Sequence, residues 1–291
     1  MCLIAFAIQP RPGLALVLAS NRDEAWSRPT APLATWRLPS GKAVHAGRDL
    51  QAGGTWIGLA EDGRVALLTN VRQGLPEPAP RSRGELVTAW LDTDTDWQSW
   101  IGRFDPTQYG GFNLVLGDLR AGAWVWLSNR RLTGRVASPS DAILPAGWRG
   151  RPLTAGLYGL SNAALNTPWP KTLALKAALQ RHLDAGADPD NTTQLVRSLC
   201  RMSAAADDEL PDTGVPLALE RQLSSPFVYA PELAYGTRSS QILHAWSNGR
   251  LRIQEWTHEA GRLGSHPLTH WPLAYSRTHR IELPDHSRQR S

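Results

Sequence analysis

Cys2 and the quartet Asn21-Arg22-Asp23-Glu24 are the residues of this 291-residue chain whose types could do chemistry together. Cys2 follows the initiator methionine directly, and cysteine is small enough for the usual aminopeptidase to remove Met1 and free its α-amine. That amine has a reference pKa of about 7.7–8.0 and a free thiol about 8.5, so the amine can serve as general base for its own side chain near neutral pH. A cation close by adds thiolate character, and Arg22 is the candidate. Asp23 could accept hydrogen bonds from the ammonium form and fix its orientation. The chemistry would be attack on a carbonyl by a terminal thiol. The same residues also have plainer readings, a buried cysteine in an apolar first strand and a charged quartet that is only a turn and a solvated rim.

What must position them is a hairpin. Residues 2–9 and 14–20 are apolar runs separated by Pro10-Arg11-Pro12-Gly13, a turn-rich quartet. With Gln9 opposite Leu14, Cys2 falls opposite Asn21, to within a residue or two, and the second strand returns the charged quartet to the start of the chain. Further strands are expected at Trp56–Leu59, Val65–Thr69, Phe112–Leu116, Ala123–Leu127, Leu157–Leu160, Gln241–Trp246 and Leu251–Trp256, the last two joined by a tight Asn248-Gly249 turn. Helices are expected after a Ser82–Glu85 capping box, from Pro168 to about Leu183, and from about Thr192 to Met202. Cys200 falls in the last of these and reads as inert core. Strand clusters, then helices, then strands predict an α+β fold in one domain over 1–283, with a frayed tail at 284–291.

Composition narrows the function. Hydrophobic residues make up 42% and charged residues 20%, the balance of a globular protein with a sizeable core. Thirteen Trp against four Phe suggest core filling first, with some lining clefts. The charge of +5 is spread as scattered Arg, and the tail arginines Arg277, Arg280, Arg288 and Arg290 are interrupted by Glu282 and Asp285. No basic block interleaved with aromatics supports nucleic-acid binding. Two cysteines exclude a disulfide framework and suit a reducing compartment. The start lacks a basic signal-peptide region and no run reaches the roughly 18 apolar residues of a membrane helix, so a cytoplasmic protein without an integral membrane segment is expected. The eight histidines form no HExxH or zinc spacing, and His266 and His270 are separated by a proline. GxSxG, P-loop and GxGxxG motifs are absent. His45 reads as structural.

Met1-Cys2 with Asn21-Arg22-Asp23-Glu24 resembles the NRDE family, the transport-and-Golgi-organisation-2-like proteins. Gly53-Gly54-Thr55-Trp56-Ile57-Gly58, Leu68-Thr69-Asn70-Val71-Arg72, Ser82-Arg83-Gly84, Tyr158-Gly159-Leu160-Ser161-Asn162, Thr167-Pro168-Trp169-Pro170-Lys171 and Tyr235-Gly236-Thr237-Arg238-Ser239 extend the likeness in order to about residue 240. The resemblance implies an N-terminal-nucleophile hydrolase-like fold, a four-layer αββα sandwich of two antiparallel sheets. It is similar more distantly to cholylglycine hydrolase and penicillin V acylase, which cleave non-peptide amides with an N-terminal cysteine. By that resemblance Cys2 is the nucleophile, and Arg22 and Asp23 support its thiol and amine. Asn162 and the backbone at Asn70 or Val71 supply the oxyanion donors, and Arg238 neutralises charge nearby. In the distant relatives the Arg and Asp are spaced further apart than Arg22-Asp23. An amide donor at an oxyanion is worth about 2.7–4 kcal/mol of barrier.

Two functions follow as expectations. One is a cofactor-independent hydrolase of a non-peptide amide or acyl (thio)ester in a small molecule. The other is a non-catalytic haem or lipid/acyl-CoA binding and trafficking protein with the same fold, since family members have been associated with such handling. Trp56, Trp169 and the Gly74–Pro80 loop are candidate pocket walls. Nothing in the sequence selects a substrate or an oligomeric state.

Overall fold

The computed structural model describes residues 2–75, 78–130, 142–258 and 276–283. The tail at 284–291, the pair His266 and His270, and part of the Gly74–Pro80 loop lie outside the described residues. The chain divides into two compact units, Met1–Arg28 with Ala155–Leu160 and Asn166–Ser291, and Pro29–Thr154 with Ser161–Leu165. Each is built on one antiparallel sheet, and with the helices described below this is an α+β protein of two antiparallel sheets.

The first unit opens with β1 (Cys2–Arg11) and β2 (Leu14–Ala25). Both are buried over most of their length, as near-continuous apolar runs demand. The corner is tighter than the sequence suggests: Arg11 already faces Leu14, leaving Pro12 and Gly13 as the turn, with Gly13 at φ 79°. The ladder then shifts between Ile8 and Arg11, where Gln9 sits at φ 46°. This bulge absorbs an extra residue, so Cys2 faces Arg22 and Leu3 faces Asn21. A slip of one matters, because it decides which side chains share a face with the thiol.

The chain then builds the second unit from β3 (Thr30–Arg37), β4 (Ala43–Asp49), β5 (Ile57–Ala60), β6 (Arg64–Asn70), β7 (Phe112–Asp118), β8 (Ala123–Ser128), β9 (Ala142–Ile143) and β10 (Arg149–Pro152), in the order β3-β4-β5-β6-β7-β8-β10-β9. β3 and β4 were not visible in the sequence: β3 carries Pro32, Arg37 and several exposed positions, so no apolar alternation marks it. The helices α1 (Gly84–Leu91) and α2 (Trp97–Ile101) cover this sheet through a core that includes Trp90, Trp100, Phe112 and Trp148. Two of the indole N–H groups find carbonyls, Trp90 on Gly117 at 3.2 Å and Trp148 on Phe104 at 3.4 Å, whereas that of Trp100 is buried without a partner among the described residues. The capping box expected at α1 does not form. Arg83 is the cap residue, and Glu85 instead meets Arg81 at 2.7 Å and the Tyr109 hydroxyl. Gly54 and Gly84 have a packing role: a Cβ on Gly54 would lie 2.5 Å from the Gly84 carbonyl carbon.

Back in the first unit come β11 (Gly156–Leu160), α3 (Pro170–Asp184), α4 (Thr193–Leu199), α5 (Leu217–Gln222), β12 (Tyr229–Ala230), β13 (Tyr235–Trp246), β14 (Leu251–His258) and β15 (Ser276–Leu283). The sheet runs β11-β1-β2-β13-β14-β15, with β12 on β13. α3 starts at Pro170 rather than Pro168, because a residue that precedes proline is pushed out of the helical region and Trp169 is extended at φ −67°, ψ 143°. α4 stops at Leu199 with Cys200 as its C-cap, so Met202 lies beyond it. α3 and α4 cover one face of β1 and β2 through Leu3, Ala5, Ala7, Val17, Ala19, Leu175, Leu199 and Phe227. The described residues include no helix long and apolar enough to cross a membrane.

Candidate functional site

The β1–β2 register sorts the charged quartet by face. Directly paired residues point the same way, so the Cys2 thiol shares a face with Arg22 and Glu24, while Asn21 and Asp23 join Leu3 on the face covered by α3 and α4. Asn21 is an anchor: its amide donates to the Leu199 and Pro226 carbonyls at 2.8 Å, and its oxygen accepts from the Ser240 hydroxyl at 2.6 Å. Ser240 in turn meets His258 Nε2 at 2.9 Å.

Asp23 is 1% exposed and its Oδ1 accepts from the Thr237 hydroxyl at 2.7 Å. Thr237 Oγ1 also accepts from the Val228 N–H at 2.9 Å, so its proton is committed to the carboxylate. Burial raises the Asp23 carboxyl above the usual range, opposed first by the charge of Lys171 and further by the Thr237 hydrogen bond. The Tyr235 hydroxyl donates to the Asp23 backbone carbonyl at 2.8 Å, and burial next to these carboxylates holds that phenol well above its ordinary value, fixing it as a donor.

Cys2 is 7% exposed. Burial pushes its thiol up, Asp23 adds to this, and Arg22 opposes it without reversing it. Arg22 is only 5% exposed, and its guanidinium lies 3.6 Å from Glu24, which shares the cation's field. The thiolate expected from the sequence is therefore not favoured by these surroundings.

Arg238 occupies the bulge where β13 slips between Thr237 and Ser239 against β2. One guanidinium nitrogen donates to the carbonyls of Ala25, Trp26 and Arg28 at 2.8–3.1 Å, clamping the chain just after the quartet. Burial and the nearby Arg22 lower its proton affinity. In the second unit, the Asn162 amide donates to the Asn70 carbonyl at 2.9 Å, and the Arg72 N–H donates to the Asn162 carbonyl at 2.8 Å. Thr69 bonds the Ser161 carbonyl at 2.6 Å beside them. The structure thus groups Cys2, Arg22, Asp23 and Arg238 at the β2 and β13 ends, and Asn70 with Asn162 at the end of β6. Of the expected pocket walls, Trp56 is buried over Gly47, where a Cβ would meet its ring at 2.5 Å, and Trp169 is half-buried at the head of α3. His45 is buried and meets Thr35 at 2.9 Å.

Lys171, Tyr235 and Thr237 belong to the Asp23 surroundings and were not singled out from the sequence. All three lie in the motif segments at 167–171 and 235–239, which was the available signal. Among the described residues no group of three or more His, Cys, Asp or Glu is placed to hold a metal.

Fold and site together define an α+β protein of two antiparallel sheets whose N-terminal cysteine abuts a buried cluster of charges. Residues 1–260 match the family model described as Transport and Golgi organisation 2. The chain belongs to that family. It is 31% identical over 293 residues to the Transport and Golgi organization protein 2 homolog of Homo sapiens, covering 93% of this chain and 96% of that one. The Bos taurus homolog is 32% identical, covering 97% and 99%, and the Drosophila melanogaster protein is 28% identical, covering 88% and 92%. Among solved structures, a Caenorhabditis elegans N-acylethanolamine-hydrolyzing acid amidase ortholog aligns at TM-score 0.45 and 10% identity, over 84% of this chain and 92% of that one. A Clostridium perfringens conjugated bile acid hydrolase mutant aligns at 0.44 and 8%, over 98% of each. Scores this low assign neither substrate nor residue roles.

Proposed function

We propose that the chain is an N-terminal cysteine hydrolase that cleaves a non-peptide amide or an acyl (thio)ester of a small molecule without a cofactor. The observation that carries this reading is the register that places Cys2 opposite Arg22, with the buried, hydrogen-bonded Asp23 next along the strand. Met1 is removed first. The freed amine of Cys2 takes the thiol proton, and the sulfur attacks the substrate carbonyl to form a tetrahedral oxyanion. The C–N or C–S/O bond breaks as the ammonium returns its proton to the leaving group. Water then attacks the acyl-thioester, gives up a proton to the amine and releases the acid. Asp23 orients the amine, and Arg22 moderates the negative charge on sulfur. The oxyanion donors expected from the family resemblance are the Asn162 amide and the backbone at Asn70 or Val71, and losing one such donor typically costs roughly a hundredfold or more in kcat.

The test is intact mass followed by labelling. Purified protein should lack Met1 and should take up the acyl group of an acyl-thioester probe, and Cys2→Ala should take up none. Retained Met1 in folded protein that resists labelling would sink the proposal. Stoichiometric haem absorbance without turnover would instead favour the carrier function.

A further inference from the structure

The steps just described give no part to Lys171, a buried cation of the first unit. Lys171, in the first turn of α3, is 3% exposed, and its Nζ donates to the Leu223 carbonyl at 2.8 Å. Leu223 begins a short segment, 223–228, that also receives Asn21 at the Pro226 carbonyl and gives its Val228 N–H to Thr237, the residue that holds Asp23. Lys171, Asn21 and the Asp23–Thr237 pair are therefore hung from the same six residues. α3 packs on the face of β1 and β2 to which Asn21 and Asp23 point.

We propose that Lys171 is a positioning residue of the Cys2 site: its ammonium group keeps the Asp23 carboxylate ionised, and so fixes both the place and the proton affinity of the Cys2 α-amine. This rests on the reading of Cys2 as an N-terminal nucleophile. A lone carboxylate with 1% exposure would take up a proton rather than stay charged. Protonated, it would lose the charge that draws the amine N–H groups and could donate its own proton to the amine nitrogen, occupying the lone pair that must take the thiol proton. With Lys171 held at Leu223, in the segment that also holds Thr237, the carboxylate and the ammonium balance. A second ammonium, on Cys2, would then be an uncompensated buried charge. The amine is thereby driven toward its neutral form, the one that can take the thiol proton. Among the described residues, the other charged or titratable groups around Asp23 include Arg22 and Glu24 on β2 and Tyr235 and Arg238 on β13, with His258 of β14 reached through Ser240 and Asn21. Arg22 is engaged by Glu24, and Arg238 by three carbonyls. Lys171 is the cation that weighs most on Asp23.

A lysine that merely ties α3 to Leu223 would predict a loss indifferent to pH. The experiment compares Lys171→Gln, which keeps a donor without the charge, with Lys171→Met, Lys171→Arg, Asp23→Asn and the Asp23→Asn/Lys171→Gln double variant. All are made in a Cys200→Ala background. Two profiles against pH are recorded: kcat/KM for hydrolysis of p-nitrophenyl butyrate, and the rate of Cys2 alkylation by iodoacetamide. Losing that positive charge raises the proton affinity of Asp23, and while the carboxyl is protonated it no longer orients the amine. Both neutral variants should therefore move the acid limb upward by about one pH unit, a loss of about tenfold at neutral pH that alkaline buffer restores. Lys171→Arg should stay near wild type. In the Asp23→Asn background, Lys171→Gln should change nothing further. A loss equal at every pH, or additive with Asp23→Asn, overturns the proposal. If the wild type shows no Cys2-dependent turnover, the hydrolase reading falls, and the alkylation profile alone decides for Lys171: an inflection raised in either neutral variant supports it, an unmoved one refutes it.

Discussion

The chain's two cysteines are equally hidden, each 7% exposed, and both lie in the first unit, yet their surroundings have little in common. Cys2 ends a strand beside Arg22, with Asp23 and Glu24 close enough to act on its proton. Cys200 caps α4 among Leu195, Val196, Leu199 and Phe227. Burial is the same and the neighbours differ, so chemistry at one sulfur and inertness at the other cannot be read from accessibility. What separates them is the alternation of β2. Arg22 and Glu24 turn to the Cys2 side, while Asn21 turns toward α4 and bonds the Leu199 carbonyl, one residue from Cys200. One strand end serves both regions, charging the first and bracing the second.

That contrast can be broken at its strongest point by truncating the nucleophile. Cys2→Ala is expected to reduce kcat about a thousandfold or more while leaving the denaturant midpoint close to wild type. Steady-state hydrolysis of an activated acyl ester together with urea unfolding would measure both, and a Cys2→Ala protein that keeps its activity removes the distinction altogether. Next in size is Asp23→Asn, which preserves shape and the Thr237 contact but not the charge. A loss of about a hundredfold in kcat is expected, with KM little altered, if Asp23 acts as proposed on the amine rather than on the substrate. A change confined to KM would make Asp23 part of a binding wall.

The hairpin that creates this contrast was legible because two apolar runs flank a Pro/Gly turn, a purely local signal. The exact partner of Cys2 was not, since a bulge at Gln9 depends on how β1 and β2 settle between β11 and β13 rather than on the turn residues themselves. For the same reason Asp23 could be proposed from its place in the chain, whereas Lys171, nearly 150 positions away, could be found only once α3 was seen to pack on β1 and β2. β3 and β4 left no trace in the apolar pattern because β3 exposes Ala34 beside Thr35 and Arg37, which breaks the alternation, and the strands carry Pro32 and Gly47. Asn162 and Asn70 were named through family likeness; that the amide of one donates to the carbonyl of the other is a tertiary fact.

A smaller effect tests the bracing side of β2. His258 bonds Ser240, which bonds Asn21, and its ring packs edge-on against Phe227 of the Cys200 cluster. Burial lowers His258 to about 3. In the unfolded chain it titrates near 6.5. A pKa depressed by folding means that the neutral ring's contribution is complete above the unfolded value and is lost as pH falls toward the folded one. Acidification from neutrality to about pH 5 should therefore remove about 2 kcal/mol of stability through this group. His258→Gln, which keeps a partner for Ser240 without titrating, should flatten the acid side of the urea-midpoint profile. An unchanged slope would mean that His258 is not neutral by necessity.

The smallest effect is at Cys200 itself. Cys200 belongs to the buried apolar cluster that includes Leu199 and Phe227, so Cys200→Ala removes a single heavy atom's packing from it. About 1 kcal/mol of stability should be lost, with kcat and KM within about twofold of wild type. Cys200→Ser sharpens the point, since a hydroxyl in the same apolar cluster must find an acceptor or be buried without one, and should cost at least as much as alanine although it is nearer in size. Urea midpoints of the two variants, set beside their turnover, tell packing from chemistry. A Cys200→Ala protein that is as stable as wild type but slower would place this second thiol in the reaction and erase the difference that the two surroundings imply.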